Sequence, residues 1–108
     1  MSLANIINNL PNANTAAVVT LAAEDTVYHH VHKVVWSYSS IPGGGRLHIK
    51  DGSTVLVDVD ITVAGKDELT FTPEIRSKDP NTAMEIKLYA GGLLVTGKLN
   101  VVYFSGTS

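Results

Sequence analysis

The most constraining stretch of this 108-residue chain is residues 54–64, TVLVDVDITVA, where Val55, Val57, Val59, Ile61 and Val63 alternate with Leu56, Asp58, Asp60 and Thr62. Side chains of an extended strand point alternately to opposite faces, so this period of two gathers the five apolar residues on one side. A helix would scatter them around its circumference. Similar short apolar runs recur from residue 16 onward, separated by turn formers at intervals of about ten residues, the spacing of a β-sandwich or barrel. Strands are expected at 16–23, 26–39, 46–50, 54–64, 68–72, 83–90 and 93–104, which gives seven to eight strands. Between them stand Glu24-Asp25, Ile41-Pro42-Gly43-Gly44-Gly45, Asp51-Gly52-Ser53, Gly65-Lys66-Asp67 and Gly91-Gly92. Proline lacks the donor a central strand needs and glycine loses most backbone entropy on ordering, so these are loops. Residues 73–82, containing Ser77-Lys78-Asp79-Pro80-Asn81, also read as a polar loop.

The long strand at 26–39 is apolar on both parities, with Val27, Val31 and Val35 on one and Val34, Trp36 and Tyr38 on the other. Burial on both sides is the expectation, with a course through the middle of the fold or an interface. Composition agrees with a packed all-β domain. Apolar residues make up 44% and charged residues 17%, away from the disordered class, and many apolar residues are β-branched. A chain of this length buries only about two thirds of its unfolded surface, so association would add stability.

Several functional classes are disfavoured. Eight basic and ten acidic residues give a net charge of −2 and form no basic stripe, so no nucleic-acid partner is expected. Without cysteine there is neither a disulfide scaffold nor a thiolate metal site. No apolar run approaches the roughly 18 residues of a membrane span. The first residues lack the basic and continuous apolar parts of a cleavable signal. A soluble product made in the cytoplasm, with no membrane partner, is expected.

Residues 1–14 carry Asn5, Asn8, Asn9, Asn12 and Asn14, one proline, and Leu3, Ile6, Ile7 and Leu10 spaced as in a short amphipathic turn. They read as an extended N-terminal arm before a β-sandwich domain at 15–108. Such an arm is either a frayed terminus or a segment that offers those four side chains to a partner, and in both cases it could be removed without loss of the fold.

His30 and His32 share a face of an ideal strand, and His48 from a neighbouring strand, with Asp58 or Asp60, could complete a divalent metal site. A two-residue spacing on a strand is common, however, and a structural zinc site draws four ligands, so these histidines read first as a polar face or subunit contact. Asp58 and Asp60 are about 7 Å apart on one face, a separation that permits paired-carboxylate chemistry. An exposed acidic face that opposes edge pairing is the simpler reading. Gly43-Gly44-Gly45-Arg46 lacks the Gly-Lys-Ser/Thr ending of a phosphate loop. No Gly-x-Ser-x-Gly elbow is present either. No catalytic residue and no cofactor is expected, and the chain reads as a structural or binding module. Tyr28, Trp36 and Tyr38 could form a sugar-stacking platform, but large aromatics serve more often as core or interface anchors; the three are candidate oligomer contacts.

The run from His32 to Ser39, with its Trp-Ser-Tyr-Ser, followed by Pro42-Gly43-Gly44, Leu47-x-Ile49, Asp60-Ile61-Thr62-x-Ala64-Gly65 and Gly97-Lys98-Leu99-Asn100-Val101, resembles small β-sandwich proteins encoded among the virion genes of tailed bacteriophages. What this resemblance implies is an antiparallel, jelly-roll-like β-sandwich acting as a capsid decoration or cement protein. It further implies a homotrimer on the outside of the capsid lattice, with the major capsid protein as partner and head stabilisation as the role. The histidine cluster and the loop at 77–81 lie outside the resembling motifs. A tail or baseplate accessory would share the same sandwich. A carbohydrate-binding module would need Trp36 or Tyr38 exposed on a concave face.

Overall fold

A computed structural model describes residues 5–108. It contains eight strands and, among the described residues, no helix: β1 (Asn5–Asn9), β2 (Ala17–Leu21), β3 (Tyr28–Tyr38), β4 (Gly45–Asp51), β5 (Thr54–Ile61), β6 (Gly65–Arg76), β7 (Met84–Leu88) and β8 (Gly97–Gly106). They form two antiparallel sheets in the orders β1-β8-β3-β6 and β2-β7-β4-β5. Every connection except the β4–β5 hairpin crosses from one sheet to the other. This is a jelly roll. Its longest dimension is 41 Å, about the length of the twelve-residue strand β6 at roughly 3.3 Å per residue.

Because each strand runs opposite to its neighbours, the connections sort to two ends. Loops 10–16, 39–44, 62–64 and 89–96 meet at one end, and loops 22–27, 52–53 and 77–83 at the other.

The core lies between the inner faces. Leu47, Ile49, Ile86 and Leu88 of one sheet pack against Val34, Trp36, Leu99 and Val101 of the other. Full burial of such side chains contributes roughly 1.5–3 kcal/mol each. Strand β3 is an inner strand, between β8 and β6, as its apolar content suggested. It is not buried on both sides. The pairing with β8 steps from Val31↔Tyr103 to Lys33↔Val102, so His32 is an extra residue in a bulge. Inward positions are therefore odd before it (His29, Val31) and even after it (Val34, Trp36, Tyr38). The mixed parity is one buried face whose phase slips at His32.

Two other expectations are corrected, at residues 73–76 and at residues 5–9. Residues 73–76 were expected in a loop, but β6 continues through Pro73 to Arg76. It is the edge strand of its sheet, where proline is tolerated. The alternating strand β5 is also an edge strand. Of Val55, Val57, Val59, Ile61 and Val63 only Ile61 is buried, and Val55 and Val63, the latter beyond the end of the strand, are exposed. Lastly, part of the expected arm belongs to the sandwich. Asn5–Asn9 pairs with β8 from Asn5↔Tyr103 to Asn9↔Leu99, Ile7 packs on the core, and the Asn9 side-chain amide donates to the Val18 carbonyl at 2.8 Å. Asparagine is poor in isolated strands, but here β8 supplies a template.

Candidate functional site

The histidines weighed as candidate metal ligands are separated. His30 is on β3, where its ring stacks on Phe104 at 4.3 Å and its Nε2–H donates to the Ser108 carbonyl at 2.8 Å. His32 is exposed in the bulge. His48 lies on β4 of the opposite sheet. Among the described residues, no group of three or more His, Cys, Asp or Glu side chains is placed to hold a metal ion.

His48 anchors a different arrangement, on the outer face of its sheet. It is buried although it points away from the core, because neighbouring side chains cover it. Its Nε2–H donates to Glu85 Oε1 at 2.7 Å, and the Tyr89 hydroxyl donates to its Nδ1 at 2.9 Å. The carboxylate can only accept, which fixes the tautomer. The Arg46 guanidinium and the Lys87 ammonium lie 5.0 and 4.5 Å from the Tyr89 ring, within cation–π range. Arg46 also grips Asp58 through Nε at 2.6 Å and Nη2 at 2.5 Å. That fork holds the Asp58 carboxyl below its ordinary range and raises the guanidinium. The result is a closed polar network on a rigid sheet. Its donors and acceptors are turned on one another, which suits a face that must be water-compatible and fixed.

His29, next to His30 in the sequence but on the other face of the strand, lies at the opposite end of the molecule from Trp36. It is buried on the inner side. Its Nε2–H donates to the Ala22 carbonyl at 2.7 Å, and Ser105 Oγ donates to Nδ1 at 2.6 Å. This pair borders a polar cavity of 260 Å³ shared with Asn5, Thr20 and Glu24. A second cavity, of 180 Å³, lies beside Trp36 between β5 and β6 and includes Asp60 and Asp67. The partner of His29 is 76 residues away in sequence, so only the β3–β8 pairing could have revealed it.

Of the three aromatic candidates for an oligomer contact, Trp36 and Tyr38 are core residues, 5% and 1% exposed. Burial also raises the Tyr38 phenol. Their strand parity after the His32 bulge turns them inward, so they offer no surface to a partner or sugar. Tyr28, before the bulge, stays at the surface beneath the Arg76 guanidinium at 4.4 Å. Of the four apolar residues named in residues 1–14, Ile6 and Leu10 are exposed, Ile7 is packed inward, and Leu3 lies outside the described residues.

No family model and no curated protein sequence matches the chain. Solved structures do. The NLP core of Drosophila, described for pentamer formation and histone binding, shares the fold at TM-score 0.56 and 7% identity, over 98% of this chain and 99% of that one. A CBM36 domain of a multidomain xylanase from the hindgut metagenome of Trinervitermes trinervoides matches at 0.54 and 9%, over 98% and 99%. A chain in the capsid structure of Helicobacter pylori bacteriophage KHP30 matches at 0.53 and 16%, over 99% of this chain and 90% of that chain. At these identities the likeness is one of fold, a jelly-roll sandwich found in phage capsids and carbohydrate-binding modules alike.

Proposed function

We propose that this protein is a non-catalytic structural component of a phage virion, a decoration or cement protein that binds the outer capsid lattice as a trimer and stabilises the head. The observation that carries this reading is the fold shared, over 99% of the chain, with a chain of nearly the same length in a phage capsid. The motifs from His32 to Val101 that resemble small phage virion proteins support it.

The physical design suits the role. A decoration protein needs a stiff body with fixed surfaces and does not need a reactive centre. Here the polar side chains with chemical potential, His29, His48, Glu85 and Tyr89, are consumed in hydrogen bonds to their neighbours. Repetition across a lattice lets modest individual contacts hold a shell. The carbohydrate-binding alternative loses its aromatic platform, because Trp36 and Tyr38 are buried.

Electron microscopy of particles from the phage that encodes the chain tests the reading. Density for this jelly roll at regular sites on the head exterior is the expected result. Density on the tail would favour the accessory role, and its absence from the particle would overturn both.

A further inference from the structure

The two ends of the sandwich differ in charge. The loops at 10–16, 39–44, 62–64 and 89–96 contain no Asp, Glu, Lys, Arg or His. The loops at the other end hold Glu24, Asp25, Lys78 and Asp79. The uncharged end is also where large apolar side chains stand in solvent. Leu93 and Leu94 are 80% and 82% exposed, and Leu10, Ile41 and Val63 are exposed as well.

These loops are braced before any partner arrives. Gly43 N–H donates to the Gly91 carbonyl at 2.7 Å, Ser39 N–H to the Thr96 carbonyl at 2.9 Å, and Asn14 N–H to the Val95 carbonyl at 2.9 Å. Three connections are thereby tied into one surface. Leu94 has a φ of +65°, a left-handed conformation unfavourable for a bulky residue and held in place only by its surroundings. A turn that accepts this strain to hold two adjacent leucines outward is a feature to explain. The nearest charges, among them Arg46, Asp60, Lys66, Asp67 and Lys98, sit back on the strands as a mixed polar rim around an apolar centre, the anatomy of a protein interface.

We infer that this uncharged end is the face that docks on the capsid, with Leu93 and Leu94 entering an apolar, uncharged depression formed by major capsid subunits. The inference rests on the virion reading and gives it an orientation, with the strands standing end-on to the shell. An uncharged knob must meet an uncharged receptor, since a charged one would be desolvated without a partner. A bilayer is a poorer occupant, because surface insertion draws on basic residues to meet anionic headgroups and these loops hold none.

The test is co-sedimentation with heads lacking the protein, using wild type, Leu93→Ser/Leu94→Ser, Leu94→Gly, and Val55→Ser as a control on an exposed site away from this end. Wild type and the control should pellet with heads, and the double serine variant should bind at least tenfold more weakly. Leu94→Gly eases the backbone strain, so it should melt no lower than wild type yet bind at least threefold more weakly. Heads that retain both leucine variants as tightly as wild type would overturn end-on docking and leave the virion reading intact. Wild type that ignores heads altogether would overturn the virion reading and the docking proposal with it. Two further results would replace the capsid as occupant, with head binding by the double variant unchanged: a wild-type dimer in sedimentation equilibrium that this variant abolishes, or pelleting with phosphatidylcholine vesicles.

Discussion

The hydroxyl of Tyr38, on the inner strand of one sheet, donates to the main-chain carbonyl of Tyr89, just beyond β7 of the other, at 2.7 Å. This bond fastens the two layers where the apolar loops begin. Tyr38→Phe keeps the ring but leaves that carbonyl unpaired, so it should lower stability by about 1–2 kcal/mol in urea denaturation. The oligomeric state should not change. A change in assembly with no loss of stability would assign Tyr38 to an interface after all.

The bulge at His32 makes a prediction about deletions. Without His32 the pattern runs Val31 inward, Lys33 outward, Val34 inward, so the buried face of β3 stays intact. The deletion variant should fold, with a modest loss in melting temperature. Deleting Val35 would turn Trp36 and Tyr38 out of the core, and that variant should be unfolded by circular dichroism. Equal tolerance of both deletions would refute the phase-slip account.

A second bulge explains what the sequence conveyed and what it hid. Alternation at residues 54–64 correctly marked a strand, and the turn at Gly52-Ser53 correctly marked its hairpin. A regular two-residue hairpin would set Leu47 opposite Asp58 and turn that carboxylate inward. Instead the ladder steps from Lys50↔Val55 to Ile49↔Val57, and the unpaired Leu56 returns Val57, Val59 and Ile61 to the core side. Periodicity reports which residues share a face only while the pairing stays regular: the bulge leaves Val55, opposite the outward Lys50, on the outer face and puts Val57, Val59 and Ile61 on the inner one. Burial decides the energetics: Ile61→Ala should cost about 2–4 kcal/mol, whereas Val55→Ala, at a site 49% exposed, should cost less than about 0.5 kcal/mol. Thermal melts of the two variants give the comparison.

Local spacing was also silent on the partners of the histidines, which come from strand pairing across the chain. It also misled at Asn5–Asn9, where tertiary pairing with β8 overrides weak strand propensity. Removing residues 1–14 should therefore destabilise the domain by about 2–4 kcal/mol, through lost packing of Ile7 and lost pairing along β8. Ile6→Ser and Leu10→Ser should leave the melting temperature within a degree or two of wild type, and they are the cleaner probes of partner binding. A truncated protein as stable as the full chain would restore the free-arm interpretation.

Acid should weaken the outer network in a defined window. The Arg46 fork holds Asp58 below its ordinary value of 3.8, so the unfolded chain takes up that proton first as pH falls. The pair's contribution is complete above the ordinary value and is lost as pH descends through the depressed one. Asp58→Asn should melt slightly below wild type at pH 7, and the gap should narrow as pH falls below the ordinary carboxylate value, or in high salt, because the pair is exposed. A gap that persists in acid would show that the carboxylate charge is not its source.

Strand β1 sets out from Asn5 beside Tyr103, and β8 finishes at Gly106 alongside Tyr28. The first residue of β1 and the last of β8 therefore both lie at the pole that carries Glu24, Asp25, Lys78 and Asp79, opposite Leu93 and Leu94. If the leucine pole seats on a shell as proposed, cargo joined beyond the end of β8 would be carried outward, and the jelly roll would serve as a mount for surface display.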